Sequence, residues 1–178
     1  MELNKLKSID PKKMQGNIFE LIGDKWFLLT AAKKDGSYNT MTASWGGMGI
    51  MWGKPVTWTV VRPVRYTYEF MEEADYFMLT FFPEEYRKAL NILGTKSGRD
   101  CDKIKESGLT PAVISGLSES SGLLVSFEEA ELIIACKKIY YQDVDPARFI
   151  ETEIDKNYPK KDYHRMYFGE ITDCLAKI

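Results

Sequence analysis

Histidine is almost missing from this chain: His164 is the only one among 178 residues. A single imidazole excludes H-E-x-x-H and other histidine-rich metal sites. A serine-based triad would have to use His164, and no G-x-S-x-G elbow supplies the serine. Cysteine is scarce as well. Cys101, Cys136 and Cys174 are odd in number, widely scattered and free of C-x-x-C spacing, against a disulfide framework, a zinc site or a thioredoxin-like motif. They read as reduced thiols, and a reducing cytoplasm is the expected compartment. Charge of one sign is not in surplus either: 24 basic side chains face 26 acidic ones, for a net charge of −2. Without a basic excess no nucleic-acid partner is expected, because phosphate neutralisation drives such binding. The two signs alternate along the chain, so no polybasic tail marks a membrane surface. No apolar run approaches the ~20 residues of a membrane-spanning helix. The charged opening, Met1 to Lys13, has no signal-peptide pattern.

Phosphate-cradling glycine loops are absent too. Gly94-Thr95-Lys96-Ser97 ends like a P-loop, but Thr95 and Leu90 occupy the two places where glycine is required. In the cluster 46–53 the third glycine of G-x-G-x-x-G is due where Trp52 stands, so a Rossmann site is not expected.

What is present is an ordinary globular composition, 44% hydrophobic and 28% charged, with 13% aromatic residues. Trp26 to Ala32 reads as a strand, Asp35-Gly36 as a turn, and Tyr38 to Ser44 as a second, threonine-rich strand. The glycines at 46, 47, 49 and 53 suggest a loop carrying Met48, Met51 and Trp52. Val56 to Val61 is a β-branched strand stopped by Pro63. Helical spacing follows over Tyr66 to Glu73, then a strand over Tyr76–Phe82. A second helix spans Glu84 to Leu93, with Gly94 as its stop. A short helix over Asp100 to Ser107 is ended by Gly108 and Pro111. Leu123–Phe127 and Ala130–Tyr141 read as strands. Asp145-Pro146 opens a helix through Ile154, and Tyr163 to Ile171 closes the chain as a strand. No repeat or linker interrupts residues 1–178, so one domain is expected. The order, without regular β-α-β alternation, favours a mainly β fold, an antiparallel barrel or sandwich with peripheral helices.

Four segments carry candidate chemistry, each with a structural alternative. Asn39-Thr40-Met41-Thr42-Ala43-Ser44-Trp45 places hydroxyl and amide groups among small residues, suited to a ligand near the backbone; the alternative is an edge strand with a solvated polar face. Arg62-Pro63-Val64-Arg65-Tyr66-Thr67 puts two arginines at a helix start, suited to a phosphate, or else simply flanking a turn. Lys96-Ser97-Gly98-Arg99 is a basic loop that offers a second phosphate contact or merely complements a helix dipole. His164, entering the last strand, is a candidate for hydrogen bonding to a ring or for proton handling, or a structural histidine. Met41, Met48, Met51, Trp45 and Trp52 form an apolar set fit for a flat ring, a partner subunit or the core.

Taken in register, these segments resemble the flavin reductase-like domain family, and within it the flavoredoxin-type branch. The matching pieces are Asn39 to Gly46, Trp58 to Thr67, Gly94 to Asp100 and Tyr163 to Ile171, spread over roughly residues 20 to 172. The resemblance implies an FMN-binding split β-barrel that forms a homodimer, with noncovalent FMN near the subunit interface. It implies electron transfer from NADH or NADPH to the flavin, or onward to a protein or metal acceptor. Carried over residue by residue, Met41, Thr42, Ala43, Ser44 and Trp45 would border the isoalloxazine and ribityl chain. Arg62, Arg65 and Thr67, helped by Lys96 and Ser97, would hold the phosphate. His164 would stand at the flavin face as the catalytic candidate.

No nicotinamide-binding motif is readable, so a nonenzymatic electron carrier or flavin-holding protein stands as the alternative to a reductase. A pyridoxamine phosphate oxidase-like enzyme would require extra basic residues for a substrate phosphate, and no surplus is present. A structural barrel without ligand is the remaining alternative.

Overall fold

β-Branched and aromatic residues decide where the sheet forms, and the glycines decide how closely its parts approach. The computed structural model describes residues 5–115, 117 and 122–177, so Met1 to Asn4 of the opening segment lie outside it. Ten strands are formed among these residues: β1 (Leu6–Ser8), β2 (Phe27–Ala32), β3 (Tyr38–Ala43), β4 (Gly46–Met51), β5 (Lys54–Val61), β6 (Tyr76–Phe81), β7 (Pro111–Val113), β8 (Val125–Phe127), β9 (Leu132–Asp143) and β10 (Arg165–Lys177). Three α-helices accompany them: α1 (Tyr66–Glu73), α2 (Arg87–Thr95) and α3 (Lys103–Ser107).

The main sheet runs β3-β2-β6-β9-β10-β5-β4, with β1 also paired to β10, and every pairing is antiparallel. The strands β3 and β4 are consecutive in sequence, yet they occupy the two ends of this order. The sheet therefore curls without closing, and the fold is a mainly β split barrel with peripheral helices. Strands β7 and β8 form a separate two-stranded ribbon.

Strand β2 is buried on both faces, which explains its unbroken apolar run. Phe27, Leu29 and Ala31 point into the barrel core with Phe77, Leu79, Phe81, Ile134 and Tyr167. Leu28 points the other way and meets Ala89, Leu90 and Leu93 of α2. This two-residue period fixes α2 against the outside of the sheet. Each fully buried leucine of that contact contributes on the order of 1.5–3 kcal/mol. Among the described residues no helix is long and apolar enough to cross a membrane.

Several expectations are corrected. The stretch 46–51 is a strand, not a loop, and Trp52-Gly53 forms its two-residue turn into β5. Both turn residues have positive φ, 52° and 73°, the signature of a hairpin turn that follows the sheet's twist. Trp52 tolerates it because its ring packs edge-on to Tyr140 and Phe168. Gly94 does not stop α2, which continues to Thr95 after a 3₁₀ entry at Glu84–Tyr86. The expected helix after Asp145-Pro146 is two 3₁₀ segments, Pro146–Arg148 and Thr152–Asn157. Asp145 caps Ala147 N at 2.9 Å, but Phe149 then leaves the helical path to stack on Tyr158. Pro111 opens β7 rather than only ending a helix. Helix α3 starts at Lys103, and the expected strand 123–127 is reduced to β8. The last strand extends to Lys177. Trp26, with φ 66°, stays outside β2 and follows a π-helical turn over Glu20–Lys25 that periodicity does not reveal.

Candidate functional site

The break between β3 and β4 leaves a cleft of about 260 Å³, lined by Met41, Thr42, Ala43, Ser44, Trp45, Val60, Arg62, Arg65, Gly94 and His164. Its floor is the end of β3 and the two-residue crossing Ser44-Trp45. As an edge strand, β3 carries backbone N–H and C=O groups on its outer side that the sheet does not use. Met41 is buried in the barrel core, Thr42 to Ser44 are half-buried, and Trp45 is exposed at the rim. Thr42 Oγ1 donates to the Leu90 carbonyl and ties this strand to α2. Gly94 permits the approach, since a Cβ at that position would stand 3.1 Å from Thr42 Cβ.

The arginines enter from the turn after β5, which is closed by Arg65 N donating to Arg62 O at 3.0 Å. Arg62 is committed to the protein. Its Nη1 reaches both carboxylate oxygens of Asp162 at 3.1 and 3.2 Å, and its Nη2 donates to Asn157 O at 2.8 Å. The guanidinium also lies 5.2 Å from the Tyr158 ring centroid. Arg65 donates one Nη2–H to the Gly94 carbonyl at 2.7 Å, at the negative end of α2. Burial, reinforced by the nearby Arg62 charge, lowers its pKa below the ordinary arginine value. Arg65 has no carboxylate partner among the described residues, so it is the cleft's uncompensated cation.

His164 precedes β10 and is 9% exposed. Its Nδ1 lies 2.9 Å from Tyr158 Oη, and its ring is 5.2 Å from the Trp45 ring. Burial pushes its pKa down to about 4; Arg62 adds to the effect and Asp162 opposes it. The imidazole is thus neutral over the physiological range.

Eight of the residues singled out from sequence meet in this cleft: Met41 to Trp45, Arg62, Arg65 and His164. Three do not. Thr67 is buried behind β3, where its hydroxyl accepts from Asn39 Nδ2 at 2.7 Å. Lys96 pairs with Glu106 at the surface, and Ser97 Oγ accepts from Arg99 N at 3.2 Å. Sequence reasoning passed over Val60, Gly94, Asp162 and Tyr158. Only Asp162, two residues before the lone histidine, carried a signal that could have been used. No group of three metal-ligating side chains occurs among the described residues. A larger cleft, about 490 Å³, opens at the other end of β10 between the N-terminal segment and Leu132, and it holds none of these residues.

The model of the flavin reductase like domain matches residues 21–177. Among curated proteins, none matches the chain in sequence. Solved structures do match in fold. An FMN-binding domain of a flavin reductases-like enzyme from Shewanella baltica is 18% identical, covers 97% of this chain and 77% of its own, and gives a TM-score of 0.67. A flavoredoxin of Desulfovibrio vulgaris is 21% identical, with 93% and 75% covered and a TM-score of 0.63. A flavoredoxin from Methanosarcina acetivorans is 22% identical, with 94% and 76% covered and a TM-score of 0.63. The family match runs from the π-helical turn before β2 to the end of β10 and so takes in the whole cleft; the chain belongs to the flavin reductase like domain family.

Proposed function

We propose that this chain binds FMN noncovalently in the cleft at the barrel's open seam and acts as an NAD(P)H-dependent flavin reductase. The observation that carries this reading is the convergence of Met41–Trp45, Arg65 and His164 on one cleft. The donor set suits FMN: a cation without a carboxylate partner for the phosphate, small half-buried residues for the ribityl chain, and an aromatic rim for the ring. Structures of like fold are named as FMN-binding or as flavin reductases. When bound, FMN supplies the hydride and electron chemistry.

The protein's own residues hold and orient. Arg65 keeps one donor on Gly94 O and offers the remaining ones to phosphate oxygens. Arg62, fixed by Asp162, contributes positive field more than a free hydrogen-bonding fork. Backbone N–H groups at the outer edge of β3 are fixed dipoles for charge on the ring carbonyls. Neutral His164 and Trp45 border the side where a second substrate would stack.

At about 260 Å³ the cleft is smaller than the roughly 300–1,000 Å³ of sites that enclose ligands of this size. Trp45 at its rim, and Ile50, Met51 and Trp52 on β4 and its turn, are exposed apolar side chains that give this edge of the sheet an apolar surface. A second copy of the chain on that surface would complete the enclosure, and we propose a homodimer. The same surface favours a second reading, an electron carrier that docks an acceptor protein there.

The visible spectrum of the purified protein tests these readings. Oxidised-flavin bands that bleach on anaerobic addition of NADH or NADPH are expected of the reductase. Bands that bleach only with dithionite would leave the carrier. A colourless protein that takes up no added FMN would end both readings, and sedimentation as a monomer would overturn the dimer.

A further inference from the structure

The His164 ring is held by one hydrogen bond, and the direction of that bond decides what the cleft can recognise. Tyr158 Oη and His164 Nδ1 are 2.9 Å apart, and both residues are buried. Tyr158 is fixed on several sides: Phe149 stacks on it with rings 6.1 Å apart and 18° from parallel, Tyr163 lies at 4.9 Å, and Arg62 at 5.2 Å. The hydroxyl has no other hydrogen-bond partner among the described residues, so its proton has no competing acceptor. A phenol is a better donor than acceptor, because its oxygen lone pair is shared with the ring. A pyridine-type imidazole nitrogen is a strong acceptor.

We propose that Tyr158 is a positioning residue that donates to Nδ1 and fixes His164 as its Nε2–H tautomer, so that the cleft presents a hydrogen-bond donor selecting a carbonyl-type acceptor on the bound substrate. The proposal rests on the reading that the cleft is the ligand site. Among the described residues Nε2 has no protein partner and no buried side-chain nitrogen lacks one, so Nε2 is accessible in a cleft that His164 lines. The charged groups facing the imidazole are Arg62 at the end of β5 and Asp162 before β10. The ring facing it from the β3–β4 crossing, Trp45, is uncharged. The Arg62 charge and burial both oppose a second proton, and Tyr158 is itself held neutral by burial. The opposite tautomer would offer a lone pair at Nε2 and select an N–H donor instead. The assignment therefore predicts substrate polarity: an amide or ring carbonyl oxygen, not an amino group, faces His164. A proton-shuttle role is disfavoured by the same facts.

One histidine in the chain makes the test direct. Long-range ¹⁵N–¹H correlation on untagged, uniformly ¹⁵N-labelled full-length protein reads both ring nitrogens without assignment. The expected spectrum has Nδ1 in the pyridine-type range and Nε2 in the pyrrole-type range, unchanged from about pH 8 to about pH 5.5, across the ordinary histidine pKa. Tyr158→Phe, which keeps the ring packing, is expected to move the two shifts toward each other as tautomers mix. A reversed or averaged pattern in the unaltered protein, or an unchanged one in Tyr158→Phe, would overturn the proposal. Should the variant not fold, the slowly exchanging Tyr158 hydroxyl proton, seen by its nuclear Overhauser contact to the His164 ring, gives the same answer; its absence would overturn the lock. FMN uptake is read separately from the visible spectrum. A pure Nε2–H tautomer in a chain that takes up no FMN would support the lock and overturn the cleft's assignment.

Discussion

The two ends of β10 carry clefts of different kinds. The one beside His164 is the smaller, about 260 Å³, and gathers an uncompensated arginine, an edge strand, an aromatic rim and a neutral imidazole. The one beside Lys177 is the larger, about 490 Å³, with Ile9, Met14, Leu21 and Leu132 among a mixture of both charge signs. Volume ranks them one way and convergent chemistry the other. A binding site is defined by groups aimed at one place with their protonation fixed, and only the smaller cleft has them.

The comparison can be broken most forcefully at the larger cleft. Leu132→Ala removes a buried core side chain and is expected to lower unfolding free energy by about 2–5 kcal/mol, with FMN affinity unchanged once the chain is folded; denaturant midpoints and flavin titrations check the two halves. Arg65→Ala is expected to do the reverse. Losing a charge-assisted contact of about 1.5–3 kcal/mol weakens FMN about 10- to 100-fold. Riboflavin, which lacks the phosphate, should be weakened far less. Equal losses for both flavins would move the phosphate away from Arg65.

Acid sharpens the contrast further. His164 has a folded pKa of about 4 against 6.5 for the free side chain. The unfolded chain therefore binds the extra proton between these values. The stability this group contributes is full above about pH 6.5 and is lost as pH falls toward 4, on the order of 2 kcal/mol. His164→Gln should show a flatter stability profile across that window in denaturant titrations, and an identical slope would refute the burial argument. The smallest effect is expected from Lys25→Ala at the larger cleft. Its pairing with Glu131 is long, 3.8 Å, and solvent-exposed, so both stability and FMN affinity should stay within about 0.5 kcal/mol of the unaltered chain.

Local chemistry was legible in the sequence wherever neighbours in the chain decide the outcome. Helix α1 falls where its spacing placed it, and β3 and β5 are found within two residues at each end. The residues from 41 to 45, both arginines and the lone histidine were likewise visible as chemistry. Strand β4 was not, because its glycines mimic a loop. Their reason is distant: a Cβ on Gly46 would stand 2.5 Å from Trp58 O, and one on Gly47 2.6 Å from Trp58 Nε1. Trp58 on the next strand, through its carbonyl at Gly46 and its ring at Gly47, makes those two glycines necessary, and no local rule contains it. The same holds for Arg62, whose engagement by Asp162 spans a hundred residues of sequence. Tyr158 was invisible for a related reason, since nothing in the residue that follows a 3₁₀ segment announces which ring it will hold. Partner choice across the fold is where sequence reading stopped.

The seam between β3 and β4 has a further consequence for how the chain is threaded. Residues 6 and 177 are already paired neighbours on β1 and β10. Ser44-Trp45 is a covalent tie between two sheet edges that share no ladder. A circular permutant joined near residues 6 and 177 and opened between Ser44 and Trp45 would keep each strand pairing and lose only that tie. The barrel's ladders therefore do not depend on the crossing that floors the cleft, and the two can be altered separately.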